Sequence, residues 1–525
     1  MTAVADARTQ SGVRASARVP DNVAHGIPAP PSEAEKLLYD KRRLWVLQLG
    51  SAVSFTTLVV SQVYFMTLSK WLLLLAPLLA FSVLYYFISL LVNLGTPGFD
   101  MRAHRRLVRA NTVFPSVDVF LPVCGEPYEV LANTWRYVSR MKRHYPGHVD
   151  VYVLDDSPSP TLSHAALRHG FVYQRRLNRG WYKKAGNLRY AYKRTSGDFI
   201  LVLDADFAPR HDMLDELVPY LVADPRLGIV QSPQFFRIER GHGWLQRGAG
   251  AVQELFYRLV QVSRQHHHAA ICVGSCALYR RTALDAIGGS TLIEHSEDVH
   301  TGFDMRRKGW DLRYVPVPLA AGLCPDNVRA FFTQQYRWCT GSMSLLSSTK
   351  FWNTRMTFRG RLSYLSGFCY YLHTAVFAVA GPVVPVLMLT VFPEMVTARN
   401  YLLIVPSLIY NLIIFPAWHR TKYRFETWAT KLLYGWAHAW AICDLVLQRS
   451  MGWQATGGKV RGARTGRLRA SVAIWTVGTS LAWTVLAGWH MLYTELYAFL
   501  PAFLAGVFVL TVALQAALVN PAEDV

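Results

Sequence analysis

The sequence predicts an α/β domain with a largely parallel sheet, inserted between groups of membrane-spanning helices. Two observations support this fold class. Of the 525 residues, 52% are hydrophobic and only 17% are charged, and the mean hydropathy is +0.16, which is too apolar for a soluble protein of this length. In contrast, residues 100–345 contain no apolar run of spanning length, and short apolar strand patterns alternate there with helical segments.

The predicted membrane spans number about six, since a span needs about 20 mostly apolar residues. They cover residues 45–68, 71–94, 368–392, 401–418, 470–492 and 496–519. Pro382 and Pro385 predict a kink in the third span. The net charge is +21, and the basic residues flank the apolar runs, as they do in cytoplasmic loops beside spans. That distribution explains the charge without nucleic acid as a partner.

The chain divides into four predicted regions. Residues 1–40 are rich in Ala, Pro, Ser and Arg and read as a disordered cytoplasmic tail. Residues 41–98 form a transmembrane hairpin, and 99–350 form the α/β domain. Residues 351–525 form a C-terminal membrane region, with an amphipathic helix at 425–447 that we expect to lie at the membrane interface and a glycine-rich loop at 449–469.

Acidic side chains follow two of the predicted strands, which cover residues 117–122, 149–154, 199–203, 228–231 and 312–315. Asp155 and Asp156 end the second strand, and Asp204 and Asp206 follow the third. Because ligands of parallel sheets bind beyond the carboxyl ends of strands, both clusters are candidate site residues. Asp204 and Asp206 have the chemistry to hold Mg²⁺ or Mn²⁺ beside diphosphate oxygens. Taken alone, each cluster is more commonly a simple turn or helix cap.

Further motifs occur in a fixed order along the same region. They are Lys183-Lys184-Ala185-Gly186-Asn187, Val273-Gly274-Ser275, Glu297-Asp298 and Gln334-Gln335-Tyr336-Arg337-Trp338. Together with the two acidic clusters, this set resembles the processive family 2 glycosyltransferases of the cellulose synthase type. The resemblance implies a GT-A-like fold. The segment Ile271-Cys272-Val273-Gly274-Ser275 departs from the family pattern Phe-Phe-Cys-Gly-Ser, which leaves acceptor contacts at this loop open.

The resemblance implies one group of residues that bind the nucleotide end of a UDP-sugar donor. Two of them, in the loop at 449–469, match the family's gating loop, although Trp453 stands there for Phe, Ala455 for Val, and one residue is inserted. The implied donor-binding residues are Asp155, Asp156, Lys184, Gln334, Arg337, Thr456 and Lys459.

The resemblance also assigns the catalytic and acceptor groups. Asp204 and Asp206 would bind the divalent metal, Mg²⁺ or Mn²⁺. Asp298 would be the general base that deprotonates the acceptor hydroxyl. Glu297 and Trp338 would contact the acceptor, with the Trp338 ring as a flat platform for the terminal sugar. Without its motif, Trp338 would equally fit an interfacial anchor or a core residue.

The implied function is a UDP-sugar-dependent hexosyltransferase of the plasma (inner) membrane with a cytoplasmic active site. It would polymerise a UDP-sugar, with UDP-glucose as the expected donor, into a β-glucan and move the growing polysaccharide across the lipid bilayer. An accessory protein on the outer face is compatible with this interpretation, and we expect no cyclic di-GMP domain, because few residues follow the last span. The alternatives are a synthase of another β-glycan (mixed-linkage, chitin-like or hyaluronan-like), a non-processive transferase to a lipid-linked acceptor, and a non-enzymatic membrane scaffold.

Overall fold

The structure is a computed structural model, and it describes residues 27–39, 44–157, 161–239, 241–421, 423–449 and 463–518. The strands in this part of the chain are β1 (Val117–Val123), β2 (Val149–Asp155), β3 (Val172–Gln174), β4 (Phe199–Val202), β5 (Ala208–Pro209), β6 (Leu227–Gln231), β7 (Gln234–Phe236), β8 (Ala277–Arg280), β9 (Asp311–Tyr314) and β10 (Ala320–Gly322).

The helices fall into an N-terminal group, a group within the domain and a C-terminal group. The first two groups are α1 (Glu33–Lys36), α2 (Leu44–Leu68), α3 (Ala76–Asn93), α4 (Met101–Ala110), α5 (Tyr128–His144), α6 (Ser163–Arg168), α7 (Lys183–Tyr192), α8 (Met213–Ala223), α9 (Trp244–Leu255), α10 (Gln261–His266), α11 (Arg281–Asp285), α12 (Glu297–Arg307), α13 (Val328–Leu346) and α14 (Thr349–Asn353). The C-terminal group is α15 (Phe358–Ala380), α16 (Val383–Val391), α17 (Ala398–Tyr401), α18 (Val405–Ile409), α19 (Phe415–Trp418), α20 (Phe425–Val446), α21 (Ala463–Ala470), α22 (Gly478–Tyr493) and α23 (Leu496–Ala517).

A mostly parallel sheet forms the centre of the domain. Its seven strands have the order β3-β2-β1-β4-β8-β6-β9, and only β8 runs antiparallel to its neighbours. A second sheet has the order β5-β10-β7. The predicted parallel α/β fold is therefore confirmed, and each of the five predicted strands is present within one residue of its predicted ends. The sequence interpretation missed the antiparallel β8 and the shortest strands.

The sheet is apolar on both faces, as expected for parallel strands covered by helices. Every residue of β4 and β6 is buried, and β1 is buried except for Pro122. The buried Trp135 of α5 is among the largest side chains of the core beneath this sheet. Because the strands are held from both sides, their carboxyl ends form a rigid edge on which side chains keep fixed positions.

Residues 28–39, here called the N-terminal strap, lie on the domain through charged and carbonyl groups. Arg237 donates hydrogen bonds to both carboxylate oxygens of Glu35 at 2.6 and 2.7 Å and to the carbonyls of Ala29 and Pro30. Arg210 binds Glu33. The predicted disordered tail is therefore wrong for residues 27–39, because its charges meet partners that are distant in sequence. Residues 1–26 lie outside the described residues.

The strap and α4 meet at one carboxylate, although the α2–α3 hairpin separates them in sequence. Lys36 of the strap donates to one oxygen of Glu216, and His104 of α4 lies 2.6 Å from the other. The segments before and after the hairpin therefore lie on the same side of any membrane that the hairpin crosses.

By length and composition, five helical segments in the described residues can cross a membrane, and the chain is a membrane protein. They are Leu44–Leu68, Lys70–Asn93, Phe358–Ala380, Gly466–Tyr493 and Leu496–Ala517. The predicted third span, 368–392, is corrected to a helix that begins ten residues earlier and ends at Ala380. The chain breaks there at Gly381 and Pro382, where kinking was expected.

The predicted fourth span, 401–418, is also corrected, because the apolar helical segment there covers only Val405–Trp418. At 1.5 Å per residue it is about 20 Å long, which is short of the roughly 30 Å hydrocarbon core. It nevertheless returns the chain to the domain, since Glu254 of α9 accepts hydrogen bonds from the backbone N–H groups of Arg420 and Thr421. The ion pair between Glu254 and the buried Arg258 reinforces this joint.

Helix α20, the predicted interfacial helix, is not among the five candidate spans. It packs against α9, α13, α15 and α23. About half of its residues are buried, His438 and Asp444 among them. It therefore connects the domain to the membrane helices, while its position relative to a bilayer stays a prediction.

Replacing Arg237 with Ala should release the strap, because it removes the bidentate pair with Glu35 and two donors to strap carbonyls. We expect a loss of roughly 1–3 kcal/mol of stability and faster hydrogen exchange in residues 28–39. Hydrogen exchange and the melting temperature in detergent measure both effects. Arg226→Ala is the control, since Arg226 is 77% exposed and, in the described part of the chain, forms an ion pair only with Asp224. Unchanged exchange in the strap of the Arg237 variant would contradict the anchoring role.

Candidate active site

Acidic residues follow three adjacent strands at one edge of the sheet. Asp155 is the last residue of β2, Asp204 and Asp206 follow β4, and Glu126 follows β1, which lies between these two strands. The sequence interpretation missed Glu126 as a site residue. Its position in a Gly-Glu-Pro turn directly after a strand was the only sequence signal for that role. The predicted meeting of the two acidic clusters at one sheet edge is thus what the structure shows.

Two arginines hold the first acidic cluster. Asp155 is fully buried and accepts hydrogen bonds from the Tyr173 hydroxyl at 2.6 Å and from Arg175 at 3.0 Å. Asp156 receives two hydrogen bonds from Arg176. The two carboxylates are therefore fixed and neutralised by the protein. Neither arginine was predicted, and the only signal is their position directly after β3, the neighbour of β2.

Arg176 also shapes the loop that leads into α7. It donates to the carbonyls of Trp181 and Lys183, and the backbone at Tyr182 and Lys183 is left-handed, with φ of 46° and 48°. Gly186 is required beneath this loop, since a Cβ atom there would lie 2.1 Å from the Trp181 carbonyl oxygen. The strained backbone is typical of a functional loop, and it presents Lys184 to the second acidic cluster.

Lys184 connects three segments of the site. Its ammonium forms an ion pair with Asp204 and donates to the Gly274 carbonyl at 2.8 Å, and it lies 4.0 Å from Glu297. Burial alone would lower the pKa of Lys184, but the carboxylates of Asp204 and Glu297 outweigh it, so the pKa is raised. The lysine is therefore a permanent positive charge at the centre of the site.

The carboxylate of Asp206 lies near the carboxylates of Asp204 and Glu126. Burial first, and then the negative charges of Asp204 and Glu126, raise the pKa of Asp206 to about 7. Burial also raises the pKa of Glu126. A divalent cation would relieve this repulsion, so Asp204 and Asp206 fit a metal by charge and ligand type. No group of three or more His, Cys, Asp or Glu ligands converges in the described residues, so a metal here would need oxygens from its substrate or water.

Asp298 is the second residue of α12 and lies beside the Gly274 turn. Its Oδ1 accepts a hydrogen bond from the backbone N–H of Val299 at 2.8 Å, and a Cβ atom at Gly274 would lie 2.6 Å from its Oδ2. Burial, followed by the charge of Glu297, raises the pKa of Asp298 to about 7. A small cavity lined largely by apolar side chains, Leu188 and Val202 among them, adjoins this carboxylate. Asp298 thus has the pKa of a general base that works near neutral pH.

Helix α13 carries the last predicted residues. Gln334, Arg337 and Trp338 are spaced so that they share one face of the helix, and Trp338 is half-buried. Burial lowers the pKa of Arg337, while the nearby Glu297 and Asp204 act in the opposite direction. The buried Oε1 of Gln334 has no hydrogen-bond partner among the described residues. The structure therefore places Arg337 near the carboxylates, with an unsatisfied amide one turn away.

Two predicted residues of the nucleotide site, Thr456 and Lys459, lie outside the described residues. All the other predicted site residues are described.

Comparison with known proteins identifies the class of this domain. Residues 199–419 match the family described as glycosyl transferase family group 2. With its mostly parallel sheet and its acidic strand ends, the domain is a glycosyltransferase domain of GT-A-like fold. Among solved structures, the mannosyltransferase from Pyrobaculum calidifontis in complex with GDP-Man and Mn²⁺ aligns with 71% of this chain and 98% of its own, at 16% identity and a TM-score of 0.48.

The most similar curated proteins include cellulose synthases. The chain is 33% identical over 237 residues to the cellulose synthase catalytic subunit (UDP-forming) of Komagataeibacter sucrofermentans, covering 44% of this chain and 31% of that protein. For the Xanthomonas axonopodis pv. citri subunit of the same name, identity is 32% over 275 residues, covering 51% and 36%. The match thus spans about a third of the length of these relatives. The family match and these relatives agree with the resemblance to family 2 glycosyltransferases of the cellulose synthase type that the motifs predicted.

The raised pKa of Asp298 predicts a pH-dependent stability difference from Asp298→Asn. Between about pH 4 and pH 7 the unfolded carboxyl is ionised and the folded one is protonated, so the wild-type protein loses stability relative to the variant as the pH rises. The difference should grow by at most about 1.4 kcal/mol per pH unit and become constant above pH 7. Melting temperatures in detergent with a chelator present, compared with those of Asp304→Asn, measure it. A difference that stays constant from pH 5 to 8 would contradict the raised pKa.

Proposed function

We propose that the chain is a membrane-embedded, processive, inverting glycosyltransferase that polymerises a UDP-sugar into a β-linked glycan. UDP-glucose and a cellulose-like β-glucan are the expected donor and product. One observation carries the proposal: the carboxylate of Asp298, with a pKa of about 7, lies against the Gly274 turn that Lys184 binds and interacts electrostatically with Lys184 and Arg337. A base and a cationic site for a leaving diphosphate therefore lie side by side.

The leaving group of this reaction would be UDP, whose diphosphate gains negative charge as the bond to the sugar breaks. Lys184 and Arg337 would stabilise that charge, because both are partly buried and a lowered dielectric strengthens their attraction. The unsatisfied oxygen of Gln334 faces the same helix surface as Arg337 and would accept a hydrogen bond from donor or acceptor. Asp155 and Asp156 would bind the uridine end with the lone pairs that Arg175 and Arg176 leave available.

We assign the divalent cation, Mg²⁺ or Mn²⁺, to Asp204 and Asp206. Such an ion supplies Lewis-acid stabilisation of the diphosphate when it is bound. Asp206 would need to lose its proton on binding, since its pKa is about 7 in the protein without metal. Lys184 and the metal ion would compete for the carboxylate of Asp204. Lys184 would therefore shift from Asp204 towards the diphosphate.

Asp298 would act as the general base. A sugar hydroxyl is a weak nucleophile, and removal of its proton during attack on the anomeric carbon lowers the barrier. The C1–O bond to UDP would break as the new C1–O bond to the acceptor forms. A single in-line displacement inverts the anomeric carbon and yields a β-linkage from an α-linked donor.

Helix α13 would connect the site of sugar transfer to the membrane helices. Its Tyr336 hydroxyl donates to Asp444 of α20 at 3.2 Å, which ties α13 to the membrane-associated helices. Trp338, on the face of Arg337, would stack against the terminal acceptor sugar. This geometry supports a growing polysaccharide that leaves the site towards the plasma membrane, with the domain in the cytoplasm.

The proposed activity is tested by supplying membranes with each labelled UDP-sugar and digesting the product with linkage-specific hydrolases. We expect incorporation from one donor, its loss with a chelator, and a product degraded by a β-specific enzyme. Asp298→Asn should reduce incorporation by at least about 10²-fold while UDP affinity stays close to wild type, since the base acts only in the transition state. Wild-type polymer synthesis by this variant would refute the assignment of the base.

Replacing Trp338 with Ala should affect elongation more than donor binding. The loss of a stacking platform weakens the acceptor, so product length and the apparent affinity for acceptor should fall severalfold, while UDP affinity is retained. Gel-filtration analysis of labelled product and titration with UDP measure the two effects. Equal losses of both would place the Trp338 ring outside the acceptor site.

A further inference from the structure

Arg264 of α10 is a buried cation that the chemistry above does not use. Arg264 is only 6% exposed. Within the described ranges, its guanidinium forms no hydrogen bond and no ion pair. Its guanidinium interacts electrostatically with the hydroxyls of Tyr364 and Tyr371 and lies 5.9 Å from the centre of the Tyr364 ring. Burial lowers the pKa of Arg264. Five N–H donors therefore lie in a largely enclosed position, without a carboxylate partner among the described residues.

The position of Arg264 is enforced by its own helix. The Ser263 hydroxyl donates to the Val92 carbonyl at 2.7 Å, and His267 Nε2 lies 2.9 Å from the same oxygen. These contacts anchor α10 to the end of α3. A long and flexible side chain on a fixed helix would normally turn to solvent or to a carboxylate, so its burial without a partner requires another explanation.

The facing helix, α15, leaves space for the guanidinium. Tyr364, Gly367 and Tyr371 are three and four residues apart, so they lie on one face of α15. A Cβ atom at Gly367 would lie 2.0 Å from a terminal nitrogen of Arg264. Any other residue at 367 would displace the arginine. The sequence thus reserves this space for a charged group.

This location is continuous with the candidate active site. The Tyr371 hydroxyl lies close enough to Ser342, Arg264 and Asp298 to interact with all three. Ser342 follows Trp338 by one helical turn on α13. A path along α13 therefore runs from the platform at Trp338, past Ser342 and Tyr371, to Arg264.

We propose that Arg264 binds the acceptor glycan behind Trp338, with its N–H groups donating to hydroxyl and ring oxygens of a sugar already incorporated. The neighbouring Tyr364 and Tyr371 rings would offer apolar surface to the C–H face of that sugar. An uncompensated buried charge destabilises a folded protein, and a ligand rich in acceptor oxygens removes that penalty. This inference rests on the proposed function, because it identifies a second contact for the same acceptor.

The test compares Arg264→Met with the wild-type protein in detergent. Titration with cellohexaose, chitohexaose and a hyaluronan hexasaccharide, followed by tryptophan fluorescence, measures glycan affinity. We expect one of these to bind the wild-type protein and to bind the variant at least tenfold more weakly, with UDP affinity unchanged. Because Met removes an unpaired buried charge, the melting temperature of the variant should equal or exceed that of the wild type.

Two further variants separate binding from structure. Arg264→Lys keeps the charge and should recover part of the glycan affinity. Arg280→Met is the matched control, since Arg280 donates to the carbonyls of Leu227 and Asp224 away from α13. It should lower the melting temperature and leave glycan affinity unchanged.

Three results would overturn the proposal: a destabilised Arg264→Met with normal glycan affinity, full affinity in both Arg264 variants, or no binding of any of the three glycans by the wild type. Failure of the proposed function is distinguishable, because it would appear as absent incorporation from every UDP-sugar. Glycan binding in this titration requires no turnover.

Discussion

The ammonium of Lys184 is the interaction on which the site depends. It joins the start of α7, the end of β4 and the Gly274 turn, which are brought together only by folding. Around it lie the carboxylates of Asp204 and Glu297, and without a central cation their mutual repulsion in a buried site would be severe. Burial first, and then the charges of neighbouring carboxylates, raise the pKa values of Asp206 and Asp298 despite the nearby lysine. The site is therefore built with an excess of negative charge, which favours a ligand that arrives with a cation.

The strand ends could be predicted from the sequence because the information is local. Short apolar runs such as the one before Asp204 end where the chain turns polar, and the parallel arrangement then places their ends at one edge. The motif residues followed from their resemblance to a family. The partners of those residues did not follow, because Arg176 lies 20 residues from Asp156 and no local pattern pairs them. Glu126 was missed for a similar reason, since its importance comes from neighbours on other strands.

The membrane helices show where hydropathy and helix geometry differ. Hydropathy predicted that the third span begins at residue 368, because the charged residues Arg359 and Arg361 interrupt the apolar sequence before it. The helix itself begins at Phe358, where the Thr357 hydroxyl accepts a hydrogen bond from the Gly360 N–H and caps it. Caps set the ends of a helix, whereas the hydrocarbon thickness sets only the length that must be apolar. The strap was mistaken for disorder because its composition is typical of disorder and its partners lie about 200 residues away.

Glu216 accepts from the segment that enters the membrane hairpin and from the segment that leaves it. In mechanical terms, the domain is therefore clamped to both ends of the hairpin at a single point. Any catalyst that drives a polymer away from itself experiences an equal and opposite recoil. A domain tethered by one flexible linker would yield to that recoil and lose registry with its exit path. In the proposed translocation, the recoil would pass through the contacts of Lys36 and His104 with Glu216 into two membrane helices, so displacement of the polymer would not displace the catalyst.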